Sequence, residues 1–301
     1  LQGERVRLSV RDGSRTLAVR EVTLARGQSA QTEEVLFHSG EAGARKLTIG
    51  VDPVAGEQVS GNNQLTRVVQ VLGGQRKILY VEGEPRWEYK FIRRAAEEDQ
   101  SIQLVTILRT SANKFYRQGV DSDKVLVEGF PSSASELFQY QGLIIGTLEA
   151  NFFTAAQQDL IREFANRRGG SVLFLGGRKS FSDGGWASSA VAEILPVRIA
   201  PGGGTFHRRP VSVELTQHGR ESLVCRLEED PAKNAAKWAK LPDLADYQTT
   251  GELKPGAVAL INALVPGRAI PLLAVQNYGR GRTMVFATGG SWRWRMRLDH
   301  K

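Results

Sequence analysis

The stretch GGSVLFLGGRKSFSDGGW, Gly169 to Trp186, decides the fold. Ser171 to Leu175 is a short, apolar-rich run set between glycine pairs, and it reads as a buried strand. It leads into Gly176-Gly177 and then Arg178-Lys179-Ser180. On such a turn many α/β hydrolytic enzymes display a nucleophile. Here the position holds glycine, and the single cysteine, Cys225, lies far along in another segment. The scaffold of an enzyme site is present without its usual reactive group.

The surrounding segments repeat the strand–helix rhythm. Thr154 and Gln157 stand at capping-box spacing, with Leu160, Ile161 and Phe164 as the buried stripe of the helix that follows. Gly169-Gly170 ends that helix. Leu143 to Gly146 is a fully apolar strand, as a parallel sheet covered on both faces requires. Upstream, Lys77 to Val81 and Ile102 to Leu108 read as strands. Between them Trp87, Phe91, Ile92 and Ala95 share a helical face, and Pro85 suits the first turn. Later strands are expected over Val211 to Leu215, Val258 to Asn262, Pro271 to Val275 and Thr283 to Ala287. The alternation predicts an α/β domain over residues 74–301 with a doubly wound, mainly parallel sheet. The stretch near 201–256, rich in Gly, Pro and charge, reads as an irregular insertion.

Residues 1–73 are different. Val6, Leu8 and Val10 alternate with period two, as do Val22 and Leu24, Val35 and Phe37, Leu47, Ile49 and Val51, and Val69 and Val71. Turn signals at Asp12-Gly13, Arg26-Gly27, Ser39-Gly40 and Ser60 to Asn63 separate them. About six short strands predict a small all-β, immunoglobulin-like sandwich. Gly73-Gly74 is the boundary. The chain reads as a piece of a longer protein whose first strand is cut off.

Composition narrows the function classes. The 301 residues are 41% hydrophobic and 24% charged, as in a globular protein, with no apolar run long enough to span a bilayer. One cysteine excludes an internal disulfide, and the four histidines, His38, His207, His218 and His300, lack ligand spacing, so no metal or other cofactor is expected. The net charge of +8 is spread along the chain, apart from clusters at Arg167-Arg168, Arg208-Arg209 and Arg280 to Arg297, which argues against nucleic acid as the partner.

In a doubly wound sheet, ligands sit at the carboxyl ends of the strands. Those ends carry Glu82, Glu84, Arg86 and Trp87 after the first strand and Glu149 after the third. They carry Gly177, Arg178 and Ser180 after the fourth, and Ser291 and Trp292 after the last. Two readings compete. One is a polar pocket with Glu82 or Glu84 opposite Arg178. The other, which is favoured, is mutual pairing that locks the loops. Ser180 and Ser291 follow strands as nucleophiles do, but no histidine base stands beside them. Gly202 to Gly204 lacks the spacing of a phosphate loop. The run Trp292 to Arg297 is expected to be extended, with indoles packed and arginines solvated.

Residues 76–301 resemble the class I glutamine amidotransferase-like domain of large bacterial membrane-associated proteins. The resemblance rests on ILYVEGEPRWEYKFIRRA (78–95), on residues 143–186, on WAKL (238–241) and on GRGRTMVFATGGSWRWR (279–295). EAGARKLTIGVDPVAGEQVSGNNQLTRVVQV (41–71) resembles the cell-adhesion-related bacterial β-sandwich module. The resemblance implies a flavodoxin-like fold and an extracytoplasmic place in a membrane-anchored protein, held by segments outside this chain. True glutaminase domains carry a cysteine where this chain has Gly177 and a His–Glu pair near the last strand. This chain has neither, so the resemblance implies a non-catalytic binding or scaffold role, with a protein partner or a small polar ligand at the rim. The rival is an enzyme of another type that uses Glu82 and Glu84 with Arg178.

Overall fold

Four of the early period-two runs pair into strands: β1 (Arg5–Asp12), β2 (Arg15–Thr23), β3 (Gly43–Val51) and β4 (Gln64–Val71). In this computed structural model, residues 3–298 are described except 26, 28–30, 34, 39, 58, 72, 112 and 113. The turn signals at Arg26 and Ser39, and His300, fall outside the described residues. The chain divides into two units, Leu1–Gly74 and Gln75–Lys301.

The first unit is one antiparallel sheet in the order β2-β1-β3-β4, with Val6, Val10, Val22 and Leu47 buried. The two facing layers of a sandwich are not formed among the described residues. Val35 and Phe37, expected in a strand, join no ladder. The segment before them is held instead by Gln31, whose amide oxygen accepts Ala25 N (2.8 Å), just past β2, and whose amide nitrogen donates to the carbonyl of Thr23 (3.2 Å), the last residue of β2.

The second unit is mixed α/β. Its elements are β5 (Arg76–Glu82), α1 (Trp87–Glu98), β6 (Ile102–Ser111), β7 (Lys114–Gln118), α2 (Ala134–Leu137), β8 (Gly142–Ile145), α3 (Ala155–Glu163) and β9 (Ser171–Leu175). There follow β10 (Phe206–His207), β11 (Ser212–Leu215), α4 (Gln217–Glu221), α5 (Pro231–Ala239) and β12 (Tyr247–Gln248). The last are β13 (Val258–Val265), β14 (Arg268–Tyr278), β15 (Gly281–Phe286) and α6 (Trp292–Leu298). Nine strands form one sheet in the order β11-β13-β14-β15-β9-β8-β5-β6-β7.

The five strands β15-β9-β8-β5-β6 are parallel, and all four outer ladders are antiparallel. "Mainly parallel" therefore holds for the centre only. The cause is loop length: β13 to β14 and β14 to β15 are joined by two residues each, which leaves no room for a crossover helix and forces hairpins.

The core follows the sequence. Leu79, Val81, Ile107, Leu143, Ile145, Val172 and Val285 are buried in the central strands. Trp186 seals the end of the deciding stretch. It packs on Phe153 and Phe174 and donates its Nε1 proton to the Leu148 carbonyl at 2.8 Å. The Thr154–Gln157 capping box is present at the start of α3, and Gly169, at φ 80°, ends the turn beyond it.

Two expectations are corrected. The buried residues of α1 are Glu88 and Tyr89, while Trp87 is 44% exposed and Ala95 lies in solvent. Polar partners turn the helix: Tyr89 Oη bonds Thr106 Oγ1 at 2.9 Å, and Glu88 reaches the chain entering α6. The run Trp292 to Arg297, expected to be extended, lies in α6. Trp292 then faces Trp87 (centroids 6.5 Å apart), and Trp294 meets Trp238 edge-on and Phe286 at a tilt. No helix among the described residues is long and apolar enough to cross a membrane.

Candidate functional site

β5 and β8 lie side by side, and the chain leaves them toward opposite halves of the sheet, so their carboxyl ends open a crevice. Glu82 ends β5 inside it and is fully buried. Its carboxylate accepts four bonds: Tyr80 Oη (2.6 Å), Arg86 Nε (2.7 Å), Gly83 N (2.9 Å) and Thr147 N (2.9 Å). Gly146 makes the fit possible, since an added Cβ there would fall 2.6 Å from Oε1. With every lone pair engaged, Glu82 is a structural anchor with no capacity left to take a proton from a substrate.

Arg86 is the other half of the anchor. Its Nη1 donates to the Gly176 carbonyl at 2.6 Å, which ties α1 to the turn after β9. Burial opposes its charge, but Glu82 more than offsets this and raises the guanidinium pKa. Burial also pushes the Tyr80 phenol up, and the Glu82 charge adds to the rise.

Gly177 lies on the turn after β9. An added Cβ would lie 2.6 Å from Thr147 Oγ1 and 2.7 Å from Thr147 Cβ. The turn is tied further by Lys179 N to Thr147 Oγ1 (3.2 Å) and by Ser180, buried and donating to the Leu175 carbonyl at 3.0 Å. Gln248, wholly buried on β12, donates to the Ser180 carbonyl (2.7 Å) and to Asp183 Oδ2 (3.0 Å). No side chain larger than hydrogen fits at 177 without displacing Thr147.

A cleft of about 540 Å³ opens above this floor. Glu84, Pro85, Arg86 and Trp87 form one wall, with Lys90 of α1 beside them. Gly177, Arg178 and Gly289 form the floor and edge, and Phe206, Arg208 and Asp246 close the far side. Arg178 pairs with Glu84 at 3.1 Å while 63% exposed. An ion pair that open to water adds little stability.

The residues expected at the rim therefore separate. Glu84, Arg86, Trp87, Gly177 and Arg178 share the cleft. Glu82 and Ser180 lie beneath it. Glu149 faces elsewhere and pairs with Arg109 (2.8 Å) and Lys179 (2.9 Å). Burial opposes ionisation of Glu149, but those cations outweigh it and lower its pKa. Ser291 and Trp292 lie toward Glu88, whose Oε1 accepts from Ser291 Oγ (3.3 Å) and Trp292 N (3.2 Å).

Four cleft residues were not anticipated: Lys90, Phe206, Arg208 and Asp246. Three of them come from the stretch read as an irregular insertion, which folds back as the β10–β12 ribbon. The Arg208-Arg209 pair was the one signal in the sequence. Asp246 Oδ1 accepts Gly289 N at 2.7 Å, and burial raises its pKa against the bonds that lower it. His207 is committed to Thr249 Oγ1 at 2.9 Å, and no metal-holding cluster exists among the described residues.

No protein-family model matches this chain, and no curated protein matches it in sequence. Among solved structures, the cytoplasmic protein STM3548 of Salmonella typhimurium aligns at 18% identity with a TM-score of 0.52, over 70% of this chain and 87% of its own. A GMP synthase-like protein of Thermoplasma acidophilum aligns over 75% of this chain and 92% of its own, at 10% identity and a TM-score of 0.35. A β-galactosidase of Rahnella sp. R3 aligns over 74% and 31%, at 14% identity and 0.39. The first likeness is one of fold; the other two carry no argument.

Proposed function

We propose that residues Gln75–Lys301 are a class I glutamine amidotransferase-like domain without its catalytic triad, which serves as a binding platform. Numbered among themselves, the five parallel strands run 2-1-3-4-5, the flavodoxin-like order, which supports the assignment. The observation that carries the non-catalytic reading is the packing of Gly177 against Thr147: the nucleophile position holds no nucleophile and has no space for one. No histidine lies between β15 and Leu298 to serve as its base. The rival reading, an enzyme using Glu82 and Glu84 with Arg178, is disfavoured because Glu82 is saturated and Glu84 is paired.

The cleft above Gly177 is the binding surface in this proposal, and the smaller N-terminal unit is a spacer or adhesion module. The whole would be an extracytoplasmic region of a bacterial membrane-anchored protein, anchored by segments outside this chain. The test is a glutaminase assay. Ammonia release from glutamine is expected to equal the no-enzyme blank. Turnover above it, lost on Cys225→Ser, would overturn the proposal.

A further inference from the structure

The geometry points to a small organic oxyanion, a carboxylate or phosphate on an apolar body, as the ligand of the cleft above Gly177. This deepens the reading of the rim as a binding surface and rests on it.

Charge is the first argument. Lys90, Arg86, Arg178 and Arg208 line the cleft against only Glu84 and Asp246. Arg86 gives its Nε to Glu82 and its Nη1 to the Gly176 carbonyl, while its buried Nη2 has no partner among the described residues, and Arg178 pairs with Glu84. Lys90 and Arg208 are both exposed, and neither side chain makes a hydrogen bond or close ion pair among the described residues, although the Arg208 charge is felt by Asp246. Lys90 Nζ sits 5.0 Å from the Trp87 ring centre, a contact that orients an ammonium but leaves its protons for a ligand. Burial raises the Asp246 pKa, against the Gly289 and Thr288 hydrogen bonds and the charges of Arg86 and Arg208, which lower it. The excess is local, so it attracts an anion into the cleft rather than along an extended surface.

Shape is the second argument. The volume of about 540 Å³ is that of a small-molecule site. Pro85, Trp87 and Phe206 give it apolar walls, and Trp87, although it stacks on Phe91 and meets Trp292 at a tilt, stays 44% exposed. A bare inorganic ion would leave those walls wet. An organic body between Trp87 and Phe206, with its anionic group toward Lys90 and Arg208, covers both.

The experiment is isothermal titration of the whole chain with phenyl phosphate, benzoate, inorganic phosphate and glutamine, repeated on Arg208→Gln and Lys90→Gln. Both side chains are exposed, so the variants keep the fold, which circular dichroism verifies. Phenyl phosphate or benzoate is expected to bind at millimolar concentration or below, more tightly than inorganic phosphate. Each variant is expected to bind it at least about tenfold more weakly, the loss of one charge-assisted contact. The stronger of the two organic probes tells phosphate from carboxylate. No binding of either organic anion, or binding unchanged in both variants, overturns the inference. Glutamine binding alone would overturn the anion while leaving the cleft a binding surface, whereas ammonia release from glutamine would overturn that surface's non-catalytic reading itself.

Discussion

The Glu82 carboxylate at the end of β5 and the Arg86 guanidinium at the start of α1, four residues apart, meet at 2.7 Å beneath the cleft, with Glu82 fully buried and Arg86 11% exposed. Through Glu82 the pair grips the loop after β8, by Thr147 N, and through Arg86 the turn after β9, by the Gly176 carbonyl. One ion pair therefore sets the relative positions of three strand ends. A buried pair of this kind adds little net stability over an apolar packing, but halving it is costly.

Glu82→Gln keeps the shape and removes the charge. It leaves the buried guanidinium without its counter-ion and turns an amide N–H₂ toward either two backbone N–H groups or the Arg86 Nε–H and the Tyr80 hydroxyl, of which only the hydroxyl can accept. The expected loss is about 3–5 kcal/mol, read as a fall in the urea midpoint at constant slope. The double variant Glu82→Gln/Arg86→Gln should lose clearly less than the two singles added together. Strict additivity would mean that the two groups are not coupled.

Gly177→Cys places a thiol where a glutaminase would carry one. Its Cβ would crowd Thr147, 2.7 Å from that residue's Cβ, so the variant should be about 1–3 kcal/mol less stable than the parent. It should gain no glutaminase activity, because no histidine lies between β15 and Leu298 to act as its base. Adding Thr147→Gly removes the clashing atoms and should recover part of the thermal midpoint. If Gly177→Cys is as stable as the parent, the packing argument for a lost active site fails.

Cys225 should be chemically silent. It is 1% exposed, and burial pushes its thiol pKa up to about 11, so almost no thiolate exists at neutral pH. Ellman's reagent at pH 8 should label it only after denaturant is added. Cys225→Ser should leave ligand binding at the rim unchanged. Rapid labelling of the native chain would show that this segment opens.

Much of this architecture is legible in the sequence. Apolar runs such as Leu143 to Gly146 and Ser171 to Leu175 have no other stable use than central strands, and the Thr154–Gln157 cap marks its helix directly. What failed were the places where a polar contact outweighs periodicity. The apolar stripe of α1 gave way to Glu88 and Tyr89, which have long-range partners in α6 and β6. The Trp-Arg run alternates as a strand would, yet Glu88 receives its first amide and it coils. The cleft was half visible: Glu84, Arg86 and Arg178 stand at strand ends, where topology alone assigns them. Arg208 and Asp246 arrive through a ribbon of two residues per strand, too short to leave a period.

Glu88 gives a prediction with a sign. Burial raises its pKa above the ordinary carboxylate value, outweighing Arg86 and the α6 amide, which act to lower it. The folded state thus binds this proton more tightly than the unfolded chain does. The contribution of Glu88 to stability is fully present below the unfolded pKa and is lost as pH rises through the folded one. Glu88→Gln keeps an acceptor for Trp292 N and is neutral at every pH. The variant should therefore match the parent near pH 4 and exceed it increasingly toward pH 8. Carboxylates with lowered pKa, such as Glu149 and Asp183, act in the opposite direction, so the quantity to read is the difference between the two urea midpoints at each pH. A difference that stays constant, or that shrinks with rising pH, would show that the Glu88 carboxylate is stabilised by its partners and that its burial does not dominate.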